Sequence, residues 1–235
     1  MLTDLPNYIV IIFLLTVALT FYLFILSVKN RAATSLVLLL WLALTGFLAL
    51  KGVFQNTSAV PPRLALVMVP ALLLIILLMV TKKGRSFSDS LDLRKLTLVH
   101  IVRIPVEVIL YLLATHKLIP GLMTFAGRNF DIISGITAPI IYFTCFTGGD
   151  GNSRVRNRTL LLAWNFICLA LLLNIIINAV LSLPFPFQQF AFDQPNTAVL
   201  YFPFTWLPVF IVVIVLYSHL AAIRQLLKTR STNAG

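Results

Sequence analysis

Charge is what this sequence has least of. Only 11% of its 235 residues are Asp, Glu, Lys or Arg, where a soluble domain carries about a quarter. Seven residues are acidic, and Glu107 is the single glutamate. So little charge, with 60% hydrophobic residues, excludes an ordinary soluble domain. Two cysteines exclude a disulfide-built secreted scaffold, and 18 phenylalanines exclude disorder. What the chain has in abundance is long apolar runs, and its mean hydropathy is +0.99.

A bilayer core about 30 Å thick needs roughly 20 predominantly apolar residues per helix. Seven stretches qualify approximately: 9–28, 32–50, 64–81, 96–115, 131–147, 160–182 and 199–222. A run such as Leu72-Leu73-Leu74-Ile75-Ile76-Leu77-Leu78 does not alternate, which excludes a barrel strand. Placing the N-terminus outside puts thirteen of the 18 basic residues inside, among them Lys82, Lys83, Arg85, Arg154 and Arg224. Four fall outside (Lys51, Arg63, Lys117, Arg128), and Arg103 lies within a span. The positive-inside rule then gives an N-out, C-in chain, which needs an odd number of crossings. The expected fold is all-α: a polytopic membrane protein, a seven-transmembrane-helix bundle forming one domain over residues 1–235. With Asp4 and no basic residue ahead of it, the first span reads as a signal anchor and not as a cleaved signal peptide.

The net charge of +11 is spread over short loops, which fits anionic inner-leaflet lipid and not nucleic acid. The loop Thr147-Gly148-Gly149-Asp150-Gly151-Asn152-Ser153 resembles a phosphate loop but lacks the Lys-Ser/Thr ending, so it reads as a connector. Asn56-Thr57-Ser58 matches a glycosylation acceptor, relevant only where a secretory pathway exists.

The fourth span differs from the rest. His100, Arg103, Glu107 and Tyr111 fall on one helix face, with Pro105 between them. Intramembrane charges cost at least about 2.5–3.5 kcal/mol each on insertion scales, so they should face the bundle interior and find partners. Pro105 removes the amide that would bond the Ile101 carbonyl, which should bend the helix and free that carbonyl. Arg103 and Glu107 could tie each other as a structural i, i+4 pair or line a polar cavity. Arg ahead of Glu is the poorer order for such a pair, so partners from other helices are expected. Matched depth suggests Asn174 beside Glu107 and Asn178 beside Tyr111, with Thr205 and Asp131 somewhat further out. Each has a bland reading as well, Asn as glue between helices and Asp131 as a helix cap. The apolar loop around Leu118-Ile119-Pro120 and the one holding Phe185, Phe187, Phe190 and Phe192 read as an interfacial belt or as a lid over the cavity. Gly135 and Pro139 in the short fifth span suit a discontinuous helix.

The runs Arg103-Ile-Pro105-Val-Glu107, Met123-Thr124-Phe125-Ala-Gly127-Arg-Asn129-Phe130-Asp131-Ile132, Pro195-Asn196-Thr197 and Phe202-Pro203-Phe204-Thr-Trp206-Leu-Pro208 resemble a family of bacterial multi-pass inner-membrane proteins with no established activity. The likeness covers roughly the second half of the chain. It implies a bacterial inner membrane and brings no reaction with it.

Topology alone is weak analogy for function. A retinal protein needs a Lys in the seventh span, and there is none. The Asp-Arg-Tyr and Asn-Pro-x-x-Tyr signatures of G-protein-coupled receptors are missing. His100 and His116 lie roughly 24 Å apart on one helix, too far to share a metal. His219 matches His100 in depth, so these two could hold a haem or metal, against the plainer reading of local hydrogen bonds. The leading expectation is no metal and no cofactor. Cys145 and Cys168 read as packing residues. The function expected is the binding or translocation of a small solute, ion or proton at a site built from Arg103, Glu107, Tyr111, Asp131, Asn174, Asn178 and Thr205. An intramembrane enzyme acting on a lipid-linked substrate through Glu107, Tyr111 and Asp131, or a sensory or structural subunit with a membrane-protein partner, are the other classes in play.

Overall fold

The computed structural model describes residues 5–148 and 154–232, with side chains through Lys228. Asp4, residues 149–153 of the glycine-rich connector and the Arg230 side chain lie outside the described residues.

The chain is a mostly helical membrane protein. Among the described residues five helices are long and apolar enough to cross a bilayer, or six if one sharply bent pair is counted as a span. Helix α1 (Asn7–Ser27) is hydrophobic all round, yet buries one stripe, Ile9, Phe13, Thr16, Val17, Thr20 and Phe24, at helical spacing. Its hydroxyls are satisfied without leaving the helix: Thr16 donates to the Ile12 carbonyl at 2.8 Å and Thr20 to that of Thr16 at 2.7 Å. Helix α2 (Arg31–Leu50), capped by Asn30, is peripheral, with 17% of its apolar window buried against 67% for the last helix. Two tryptophans peg it there: the Trp41 indole donates to the Val209 carbonyl at 2.9 Å, and that of Trp206 to Leu42 at 3.1 Å.

Helix α3 (Ala65–Val80) bends by 85° at Thr81 into α4 (Lys82–Asp89). The bend brings Gly84 against α3 so closely that a Cβ would lie 2.6 Å from the Leu77 carbonyl oxygen. Asp89 then ties α4 to the last helix through Arg224 at 3.1 Å and Lys228 at 2.7 Å. Burial alone would raise the Asp89 carboxyl, but these two cations hold it below its ordinary value.

The fourth expected span is three segments in line: α5 (Leu93–Leu98), a 3-10 turn (Val99–Val102) and α6 (Arg103–Thr115). They form one 23-residue apolar helix. Just ahead of Pro105 the chain tightens into a 3-10 turn with i→i+3 bonds, and the segment remains one continuous apolar helix. Helix α7 (Ile132–Cys145) is short and ends before residue 147, where β1 (Phe146–Thr147) pairs antiparallel with β2 (Arg154–Val155). That ribbon is a small departure from an all-α chain. Helix α8 (Arg158–Leu181) follows, capped by Asn157.

The last helix departs most from expectation. In place of a span over 199–222 there is a 3-10 turn (Ala198–Leu200), irregular chain, a π-turn (Leu207–Ile211) and then α9 (Val212–Thr232). Proline donates no amide and is tolerated in the first turn of a helix, and the helical run begins at Leu207 with Pro208 in that turn and Pro203 in the irregular chain ahead of it. The apolar window runs over Leu207–Lys228 instead. The two apolar loops keep Phe187 and Phe192 exposed. They pack on each other, with Ile119, Met123, Phe185, Val199 and Phe204 buried, and Thr197 bonded to the Leu118 carbonyl at 3.1 Å.

Helices α6 and α7 meet at Gly135, where a Cβ would come within 2.8 Å of Ile104 Cγ1 and 3.0 Å of its backbone nitrogen. Gly135→Val should therefore push α7 off α6 and cost about 1–3 kcal/mol. A lowered thermal midpoint of the purified protein is the expected reading, and an unchanged midpoint would mean that the helices have room to spare.

Candidate functional site

Arg103 begins α6 and is buried, 2% exposed. Its guanidinium has five donors and no acceptor, so every partner must accept. One terminal nitrogen donates to Asp131 at 2.7 Å and lies 3.4 Å from the Cys168 carbonyl oxygen of α8. The other lies 2.9 Å from His219 Nε2 of α9. Because Arg can only donate, Nε2 accepts and the imidazole proton sits on Nδ1. From there it donates to Asn165 Oδ1 at 2.9 Å, and the Asn165 amide donates to the Leu161 carbonyl at 2.8 Å. The string Asn165–His219–Arg103–Asp131 thus has its tautomer fixed by donor count.

A second branch joins at Asp131. Its backbone amide donates to Asn129 Oδ1 at 3.0 Å, while the Asn129 side-chain amide donates both to Glu107 and to the Met123 carbonyl. Glu107 and Asn129 are 1% and 0% exposed. Among the described residues the other Glu107 oxygen, Oε2, has no hydrogen-bond partner, nor do Arg103 Nε and His100 Nδ1. Glu107 and Asp131 both border a cavity of about 130 Å³, otherwise walled mainly by apolar side chains such as Met68, Leu110, Leu172 and Val199. Leu183, Asn196 and Val199 bring the long loop before α9 to the wall of this cavity, and Met123 does the same for the loop before α7. Sites for drug-sized molecules are about 300–1,000 Å³; this one has room for a few waters or a small ion.

The structure redistributes the expected site. Arg103 and Glu107 do not pair. The counter-ion of Arg103 is Asp131, which makes no side-chain cap bond to α7. Tyr111 stands 43% exposed, its ring stacked on Phe125 at 5.1 Å, because the face it shares with Glu107 turns outward by that level. Asn174 donates to the Arg128 carbonyl at 2.8 Å and Asn178 to the Asn174 carbonyl at 2.8 Å, so both act as local ties and neither borders the cavity. Thr205 is buried, apart from the cavity lining, and its hydroxyl has no partner among the described residues.

His100 and His219 stack face to face, centroids 3.9 Å apart and planes 18° from parallel, with Trp164 edge-on to His100 at 5.3 Å. Imidazole lone pairs lie in the ring plane, so stacked rings do not aim both nitrogens at one metal, and both His219 nitrogens are already engaged. Among the described residues no three His, Cys, Asp or Glu side chains group to hold a metal ion. Cys145 and Cys168 are buried free thiols.

Asn129 and Asn165 escape a reading of the sequence. Asn129 lies in a loop outside every expected span, and Asn165 lies deeper in α8 than the asparagines matched to Glu107 by depth. A lone Asn at the depth of His219 was the available signal for Asn165; for Asn129 it was an amide two residues ahead of Asp131 in an otherwise apolar loop.

Removing one partner of a buried ion pair strands the other. Asp131→Asn should destabilise the protein by about 3–5 kcal/mol, and Asn174→Ala, which loses one neutral bond, by about 1 kcal/mol. Thermal midpoints of the purified variants check the order; equal effects would mean that Asp131 does not balance Arg103.

No curated protein and no solved structure matches the chain. A family model does, over residues 60–227, a stretch that runs from ahead of α3 into α9 and holds every member of the Arg103 and Glu107 branches. The chain belongs to that family, described as Domain of unknown function (DUF8737).

Proposed function

We propose that this protein crosses a bacterial inner membrane seven times, N-terminus outside and C-terminus in the cytoplasm, and binds or conducts a proton or small ion at Glu107. The sevenfold count takes the five long helices, then α3 as the sixth crossing with α4 lying at the surface, and the short α7 as the seventh. Helix α7 is 14 residues, roughly 21 Å, short of a full crossing. Its neighbours α6 and α8 could shield its ends from lipid. Orientation is supported by the excess of Lys and Arg at one end of the bundle.

The single observation that carries the ionic reading is the Glu107 Oε2 atom, buried without a partner at a cavity it shares with Asp131. A buried acceptor left unpaired costs about 1–3 kcal/mol, more if charged. A proton, a water or a cation at that atom removes the cost. The cavity's volume favours such small occupants over an organic solute, and Asn129 holds the carboxyl in place for exchange. Beside it, Arg103 stays neutralised by Asp131 and leaves the Glu107 carboxyl as the exchangeable group.

In proteoliposomes with an imposed pH or cation gradient, the wild type should dissipate the gradient of its ion. Glu107→Gln, which keeps the shape and removes the titratable oxygen, should slow that at least about tenfold. Wild-type vesicles no leakier than protein-free ones to protons, sodium and potassium, or a Glu107→Gln rate equal to wild type, would defeat the proposal.

A further inference from the structure

Two cavities larger than the one at Glu107 lie away from it. An apolar groove of about 570 Å³ is walled by α2 and α3 and backed by α9. Val37 and Leu40 line it from α2, Leu74 and Leu78 from α3, Phe210 and Val213 from behind. It exists because α2 is held to the bundle by the Trp41 and Trp206 pegs while its flank toward α3 stays uncovered. At one end the groove is closed by Phe87 of α4 and Tyr217 of α9, stacked at 6.4 Å.

On the other side of α4 is an open pocket of about 450 Å³ lined by Lys29, Lys82, Arg85, Ser86, Asp89 and Lys228, among others. Its four cations face one carboxylate, and Asp89 is already taken by Arg224 and Lys228. Among the described residues Lys29, Lys82 and Arg85 have no carboxylate partner. Helix α4 turns Gly84 and Ser88 inward, against α3 and the Tyr217 hydroxyl, and Lys82, Lys83 and Arg85 outward, and it lies at 85° to α3. Cations at the end of an apolar helix are placed to meet anionic headgroups.

From this we infer that the groove and the basic pocket together bind one anionic phospholipid, an acyl chain between α2 and α3 and the phosphate against Lys29, Lys82 and Arg85. Each half needs the other. Leu78 of the groove and Lys82 of the pocket are four residues apart, at most about 14 Å of chain, so one molecule can touch both. An apolar groove of this depth gives a free phosphate nothing to bind, and three unpaired cations favour a headgroup with net negative charge over a zwitterionic one. This inference needs the chain to lie in a membrane; it does not depend on Glu107 handling an ion.

The test is lipid binding to the full purified chain in mild detergent, with adducts counted by native mass spectrometry. Dioleoyl phosphatidylglycerol should bind at least about tenfold tighter than dioleoyl phosphatidylcholine, from the attraction of three surface cations. The triple variant Lys29→Gln, Lys82→Gln, Arg85→Gln should lose that preference, while Lys51→Gln with Arg63→Gln, outside the pocket, should keep it. Val37→Trp, which fills the groove from an exposed position, should weaken both lipids. Equal affinity for the two lipids, a preference that survives the triple substitution, unchanged binding to Val37→Trp, or displacement of phosphatidylglycerol by millimolar inorganic phosphate would each overturn the inference. All these positions are exposed, so the variants should fold, and an unchanged thermal midpoint without lipid checks that they do.

Discussion

Hydrocarbon cannot solvate a guanidinium, and the arrangement around α6 follows from that constraint. Arg103 sits in the middle of an apolar helix, so the bundle has to supply what water would have supplied. It does so from three directions: a carboxylate at the start of α7, an imidazole on α9 and a backbone carbonyl on α8. Each partner then needs its own partner. His219 must keep Nε2 bare and pass its proton to Asn165; Asp131 must have its amide held by Asn129. One cation on α6 thus reaches the start of α7, α8 and α9.

The same constraint explains why the loops before α7 and α9 are largely apolar. A loop rich in water-loving residues could not fold down onto a buried carboxylate. The stretches around Ile119 and Val199 can, and several of their polar groups turn inward to meet a partner: Asn129 toward Glu107, Asn196 toward the Ala179 carbonyl, Thr197 toward Leu118. Irregular backbone at this depth is tolerable because it is buried in protein and not exposed to lipid. The prolines at 203 and 208 leave the chain before α9 free to make this fold, at the expense of the first turns of the expected last helix.

Much of the architecture is legible in the sequence, because a span is a local property: length and apolarity decide it within one segment. The ranges 9–28, 32–50, 64–81 and 160–182 coincide closely with α1, α2, α3 and α8. The range 199–222 fails where two prolines outweigh apolarity, and 131–147 overruns where α7 gives way to a ribbon. The site was less legible. That Arg103 needed a partner from elsewhere could be argued from its order relative to Glu107. That the partner is Asp131 could not, since a helix cap was the cheaper local reading. Depth matching put Asn174 and Asn178 near the site because depth says nothing of which face a residue turns inward.

Composition and charge spacing alone determined that this chain belongs in a membrane and that its fourth span holds groups lipid cannot accept, because transfer energies depend only on residue type and run length. Which side chain meets which was decided by packing. The Gly135 contact sets α7 against Arg103, the loop fold delivers Asn129 to Glu107, and α9 brings His219 over His100. These are contacts between residues far apart in sequence, where a shift of one position on a helix turns a side chain by about 100°, enough to exchange an ion pair for a face toward lipid.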